Sequence, residues 1–216
     1  MRILMQQKSK RQLLAGESRG SCVDYSIMEY REMRPPLRGF PVEFAALGFL
    51  IEEPMHGYAL RARIEDGLGP LWQVASSQLY QVLHRLEEQQ CVSKSDEAPS
   101  SGPSKKIYRA TEEGVKAFWE WAQEPVDTMR NVRVEFAAKL YFLRRLKPSA
   151  VSTLIDRQLG ALEAIEDRVT SEGRKSSDDP VLNEAWLKFQ QATITCFYRW
   201  LSAHRTRLSM PKEIEE

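Results

Sequence analysis

Apolar residues along the chain fall mostly into helical registers, interrupted once by a short alternating stretch. After Phe40-Pro41, the residues Val42, Phe44, Ala45, Leu47, Phe49, Leu50 and Ile51 leave hardly a polar side before Pro54. This predicts a helix over 41–53 that is buried all round and carries proline at its first position. Leu60 and Ile64, one turn apart, predict a second helix over 56–66, with Gly67 placed to cap its C-terminus. Leu79, Val82, Leu83 and Leu86 then recur at helical spacing and predict a third helix over 76–90, capped by Ser76. Opposite that apolar stripe lie Ser77, Gln81, His84, Arg85 and Glu88, flanked by Gln78 and Tyr80. Such side chains can donate to phosphates or read base edges.

Cys91 to Ser95 and Lys105 to Arg109 read as two short strands joined by a Pro, Ser and Gly-rich loop, Ala98 to Ser104. Thr111 is placed to cap a helix whose Glu112 and Glu113 suit its positive N-terminal end, and whose Val115, Phe118, Trp119 and Ala122 precede Pro125. The order helix, helix, helix, hairpin, helix describes a winged helix-turn-helix. From about Val132 the pattern is wholly helical. Phe136, Leu140, Leu143 and Leu146 form one stripe, and Leu154, Leu159, Leu162, Ile165 and Val169 another. After a polar hinge at Ser176 to Asp179, Asp179-Pro180 supplies a cap and a first-turn proline for a last helix reaching about Arg207. Its apolar side holds Val181, Ala185, Trp186, Phe189, Thr193, Phe197, Trp200, Leu201, His204 and Leu208. At 1.5 Å per residue that helix extends ~40 Å, more than one small domain covers, so a partner subunit is expected to bury it.

Composition narrows the function classes. The 216 residues are 42% hydrophobic and 28% charged, as in a soluble globular chain. No apolar stretch approaches the ~20 residues of a membrane span, and the N-terminus has no signal-peptide core, so a cytoplasmic location is expected. Cys22, Cys91 and Cys196 stand far apart without metal-ligand spacing, so neither a disulfide framework nor a metal site is expected. No phosphate-cradling glycine motif, serine elbow or Cys/His constellation points to an enzyme, and no cofactor is implied. The formal charge of +1 averages unlike parts. Residues 1–39 carry eight basic against four acidic residues and read as a mobile basic tail, in which Met28 and Met33 offer alternative initiation points. Residues 40–116 carry eight basic against eleven acidic residues. If this part binds DNA, its positive charge must be gathered on one face, on Arg85, Lys94, Lys105, Lys106 and Arg109, with Glu52, Glu53 and Asp66 turned away.

Four ordered motifs carry a resemblance. Leu47-Gly48-Phe49-Leu50, His56-Gly57-Tyr58-Ala59-Leu60, Leu79-Tyr80 with Leu83-His84-Arg85-Leu86-Glu87, and Lys106 through Gly114 stand in register. Val42 through Gly114 resembles the PadR family of transcriptional regulators, and about Val132 to Leu208 is similar to the virulence-activator-like C-terminal domain of its longer members. The fold implied is mainly α with a small β-hairpin wing. It comprises a flexible tail at 1–39, an N-terminal winged helix-turn-helix at 40–125 and a C-terminal helical dimerisation domain at 126–210. The resemblance implies a homodimeric regulator, most often a repressor, that places the third helix in the major groove of a double-stranded inverted-repeat operator and the wing on the neighbouring backbone. The chain departs from the family pattern after Tyr80, where Gln81 replaces the usual proline, so the operator sequence does not transfer.

The residues expected to contact DNA are Ser77, Gln78, Tyr80, Gln81, His84 and Arg85 on the third helix and Lys105, Lys106 and Arg109 on the wing; Glu87 is expected to serve structure. His56 is expected to organise the first turn of the second helix, and His204 to be a core or interface residue. Core packing is the default for Trp72, Trp119, Trp121, Trp186 and Trp200. Because some relatives sandwich flat aromatic effectors between tryptophans at the dimer interface, Trp186, Phe189, Phe197 and Trp200 are the candidates for a dimer seam first and an aromatic small-molecule effector pocket second. The rival reading is a winged helix repurposed for protein contact, distinguishable because a DNA binder loses affinity steeply as salt rises.

Overall fold

The first helix forms as expected. α1, Pro41–Glu52, buries nine consecutive residues from Val42 to Leu50 and serves as the post on which the other elements pack. The structure, a computed structural model, describes residues 41–71, 73–97, 105–172 and 178–210. The tail at 1–39, Phe40, Trp72, the loop Ala98 to Ser104 and Ser176 and Ser177 of the hinge lie outside the described residues.

A two-residue strand, β1 (Met55–His56), follows α1 and was not legible, because two residues cannot display an alternation. It pairs antiparallel with the second wing strand, Met55 opposite Tyr108 and His56 opposite Ile107. α2 spans Gly57–Leu68, with His56 as its N-cap residue. Gly67 is not its cap, contrary to expectation. It lies inside the last turn, where a Cβ would come within 2.5 Å of the Tyr141 hydroxyl, so its smallness admits a neighbouring side chain rather than ending the helix.

α3 spans Ser76–Glu88 and buries Leu79, Val82, Leu83 and Leu86, the predicted stripe. Ala75, not Ser76, is the N-cap residue, and Ser76 Oγ instead accepts from Arg61 Nη1 of α2 at 2.7 Å. The helix closes on Gln90, whose φ of 58° is left-handed, with the Cys91 N–H reaching back to the Leu86 carbonyl at 2.8 Å. The wing strands are β2, Val92–Glu97, and β3, Lys105–Ala110, and the sheet order is β1-β3-β2. Thr111 caps α4, Glu112–Gln123, as predicted, its Oγ1 accepting from the Gly114 N–H at 3.1 Å and donating to the Gln90 carbonyl at 2.6 Å.

Beyond α4 the chain is helical, in pieces. An α-turn at Met129–Asn131 and a π-helical segment at Val132–Phe136 lead into α5, Ala137–Leu146. A 3₁₀ turn at Pro148–Ala150 precedes α6, Val151–Glu172, and α7 runs over Pro180–Ser209. Asp179 caps α7 as predicted, its Oδ1 accepting from the Val181 and Leu182 N–H groups at 2.9 and 3.2 Å. One hydrophobic core runs without a break from Val42 of α1 to Leu201 of α7. Leu162, Ile165 and Ile194 form a second, smaller cluster between α6 and α7.

Three buried or half-buried polar groups tie these helices together. Gln158 of α6, fully buried, accepts the Val126 N–H at 2.7 Å and donates to the Val126 carbonyl at 2.9 Å. Lys139, also buried, donates to the Glu124 carbonyl at 2.9 Å and pairs with Glu135 at 2.8 Å, while Glu135 accepts from Trp121 Nε1 at 3.1 Å. Burial lowers the Lys139 ammonium despite the opposing pull of Glu135.

Glu52 bridges α2 and α5 by accepting from Arg63 at 2.8 Å and from Arg145 Nε at 2.6 Å. Burial pushes its carboxyl up, but the bonds to Arg145 and Arg63 more than offset this and hold it below the ordinary value of 4.5. A depressed carboxylate contributes stability that is present above the unfolded-state value and is lost as pH falls through the folded one. Glu52→Gln is therefore expected to flatten the acid side of the stability profile, which urea midpoints across an acid titration would measure. An unchanged acid slope would count against the clamp.

Candidate nucleic-acid interface

Burial of Leu79, Val82, Leu83 and Leu86 turns the opposite side of α3 outward. Ser77, Tyr80, Gln81, His84 and Arg85 there line one open concavity, with exposed Gln78 at its flank. Tyr80 is half exposed and lies across Gly57, at the start of α2. A Cβ at Gly57 would approach Tyr80 Cε1 to 2.9 Å, so the glycine of the His56-Gly57-Tyr58 motif makes the space in which this ring rests. His56 stacks on Tyr58 and, through Nδ1, donates to the Lys106 carbonyl at 3.1 Å; it makes no side-chain capping bond to α2, so its hydrogen bond ties the start of that helix to the wing instead of closing the helix's first turn.

The charges are arranged differently from the expected cluster of five cations. Arg85 Nε donates to Glu43 Oε1 of α1 at 2.9 Å, and Lys94 of β2 donates to Glu87 of α3 at 2.8 Å. The Glu87 bond raises the Lys94 ammonium above its usual range. Glu87 therefore joins α3 to the wing. His84 Nδ1 stands 3.4 Å from Glu88 Oε1, one turn along the exposed helix. Lys106 and Arg109 are exposed and make no ion pair among the described residues. They occupy alternate faces of β3, Lys106 with Tyr108 and Arg109 with Ile107. Lys105 opens the strand opposite Glu97. The geometry thus groups the five α3 residues and divides the wing cations between two faces.

Glu43 escaped the sequence reading. It is the lone charged residue in the apolar run 42–51, and that isolation was the available signal.

The aromatic residues of α7 fall into two groups. Trp186 stacks on Phe189 at 5.3 Å, and both line a cavity of about 500 Å³ together with Arg130, Arg168, Ile165 and Gln190. Phe197 packs edge-on against Phe136 and stacks on Trp200, which stacks in turn on His204. Trp119 and Trp121 pack around Phe118, and Trp121 also stacks on Phe44. Among the described residues no cluster has the ligands of a metal site, and no helix is long and apolar enough to cross a membrane.

The chain is 26% identical over 123 residues to the negative transcriptional regulator PadR of Bacillus subtilis, covering 57% of this chain and 68% of that protein. It is 28% identical over 89 residues to a probable transcriptional regulator of Mycobacterium tuberculosis, covering 41% of this chain and 47% of the relative, so it spans about half of that protein. Among solved structures it is similar to Bacillus subtilis PadR in complex with operator DNA, at 22% identity and a TM-score of 0.39 over 77% of this chain and 98% of the other. It is also similar to the same protein in complex with p-coumaric acid, at 21% identity and a TM-score of 0.36, over 79% of this chain and the whole of the other. The profile of the Transcriptional regulator PadR-like family matches residues 46–120, the stretch that runs from within α1 through α3 and the wing to α4. Residues 46–120 therefore form a winged helix whose sequence matches the Transcriptional regulator PadR-like family.

Proposed function

We propose that this chain is a homodimeric, DNA-binding repressor that grips an inverted-repeat operator with α3 of each subunit and performs no covalent chemistry. The observation that carries this reading is the outward face of α3, where Ser77, Tyr80, Gln81, His84 and Arg85 share one concavity on a family winged-helix domain. Repression is supported by the negative regulator among its relatives. In the proposed division of labour, residues 40–125 bind DNA, with Gln78, Lys105, Lys106 and Arg109 adding contacts at the flank and wing. Residues 126–210 dimerise through α7, and the protein works in the cytoplasm.

Two recognition helices must sit one turn of DNA apart, about 34 Å. A molecule that binds one dimer geometry better than another shifts the population between spacings. The cavity beside Trp186 and Phe189 supports such an effector role, since a stacked aromatic pair with Arg130 and Arg168 suits a flat aromatic molecule.

Gln81→Ala combined with Arg85→Ala is expected to abolish retention of a selected operator in a gel shift, while light scattering still reports a dimer. Unchanged retention would sink the assignment of α3. If the wild-type chain binds no duplex at any salt, the protein-contact reading replaces this one.

A further inference from the structure

Glu43 is 2% exposed, sits in the most apolar of the described helices and accepts from Arg85 through one oxygen only. Its other oxygen, Oε2, is buried with no hydrogen-bond partner among the described residues. A buried carboxylate that is half satisfied is costly, and a leucine at this place in an apolar helix would cost less. What the carboxylate does instead is engage Arg85 by Nε, the atom nearest the main chain. Nη1 and Nη2 of Arg85 make no hydrogen bond among the described residues, and the side chain is 44% exposed in the concavity shared with Gln81 and His84. A guanidinium fixed at Nε is left with its two terminal nitrogens as a parallel pair of donors, the arrangement that matches a phosphate or the O6 and N7 acceptors of guanine.

We propose that Glu43 is a positioning residue for DNA recognition: it holds Arg85 from below, by Nε, so that the two terminal nitrogens are presented as a fixed fork to paired acceptors on the operator. The proposal rests on the DNA-binding reading above. Glu43 also cancels the charge that Arg85 would otherwise offer to any phosphate. It therefore lowers binding to arbitrary duplex while sharpening binding to the chosen one.

These two consequences have opposite signs, which separates positioning from a merely structural role. The full chain, Glu43→Gln and Arg85→Lys are each used to select duplexes from a pool with a randomised central region, and binding to an unselected duplex is followed against salt. For Glu43→Gln we expect tighter binding to the unselected duplex and a salt slope steeper by up to about 0.9, one further phosphate charge. If the fork reads a base, preference at one position of each half-site relaxes in both variants. If preference is kept at every position in both variants, the fork reads no base and the positioning role is overturned, because a phosphate contact would gain, not lose, from removal of the Glu43 charge. Thermal melts establish that the variants remain folded, and Glu43→Asp, which restores the carboxylate, is expected to recover part of the preference. A Glu43→Gln protein with the wild-type selected sequence, affinity and salt slope overturns the positioning role while leaving the DNA-binding reading intact. A wild-type chain that enriches no duplex overturns both.

Discussion

Replacing Gln158 with leucine lowers the free energy of unfolding by about 2–5 kcal/mol, the cost of leaving two buried backbone groups without partners. The side chain makes both of its bonds to one residue: Oε1 accepts from the Val126 N–H and Nε2 donates to the Val126 carbonyl. Val126 lies in the segment between α4 and the π-helical stretch, where no helix or sheet ladder supplies those partners. Leucine nearly preserves the volume, so the loss reads out hydrogen bonding rather than a cavity. The expected measurement is a lower urea midpoint at an unchanged slope, which marks a change in stability rather than in compactness. Gln158→Glu should fare no better at neutral pH, because a buried carboxylate would face the Val126 carbonyl without a donor to offer it. A midpoint within experimental scatter of the wild type would show that water enters to satisfy Val126 and that the clamp contributes little.

Gln158 also illustrates what was hidden in the sequence. The stripes of α1, α3, α5 and α6, the Thr111 and Asp179 caps and the proline at the start of α7 were legible because each depends on neighbours within a turn or two. Gln158 and Glu43 act on residues 32 and 42 positions away, and local periodicity carries no trace of such distances. Gly67 shows the converse error: a glycine at a helix end suggested a cap, while its actual constraint is the Tyr141 hydroxyl arriving from α5. Ser76 likewise had the right type for a cap, but α3 begins at Ser76 itself and its hydroxyl is spent on Arg61.

Charge was the least legible property at the candidate interface. Composition placed eight basic residues against eleven acidic in residues 40–116, which left open where they faced. Glu52, expected to turn away from the working face, is engaged by Arg63 and Arg145. Two of the five cations expected on the DNA side, Arg85 and Lys94, are matched by Glu43 and Glu87. This pairing fits a domain whose affinity for arbitrary duplex is low and whose binding depends on correctly placed donors.

Introducing glutamate at both Trp186 and Trp200 is expected to convert the proposed homodimer of 24.9 kDa chains to a monomer. α7 has 30 residues and extends about 45 Å, yet only Ile194 and Leu201 are buried along it. Val181, Leu182, Trp186, Phe189, Tyr198 and Trp200 are all at least 40% exposed. Leu182, Trp186, Phe189, Thr193, Phe197, Trp200 and His204 follow one another at spacings of three and four, so they share a side of the helix. Each large apolar side chain left in water forgoes about 1.5–3 kcal/mol of burial, and a row of them marks an interaction surface. Two carboxylates in that row would have to be desolvated in every dimer and would face their symmetry mates across a two-fold interface. Because Trp186 and Trp200 are already half in solvent, the subunit should keep its fold and melt cooperatively, below the wild type by the stabilisation the dimer supplies, a difference that grows with protein concentration. Separating the subunits also removes the linkage between half-sites, which is worth about 10²–10⁴ in avidity, so retention of a selected palindrome should fall by that order. Light scattering at micromolar concentration and a gel shift on the same sample test both halves of the statement. A dimer that survives both substitutions would move the seam away from α7 and leave the Trp186 and Phe189 cavity to the effector alone.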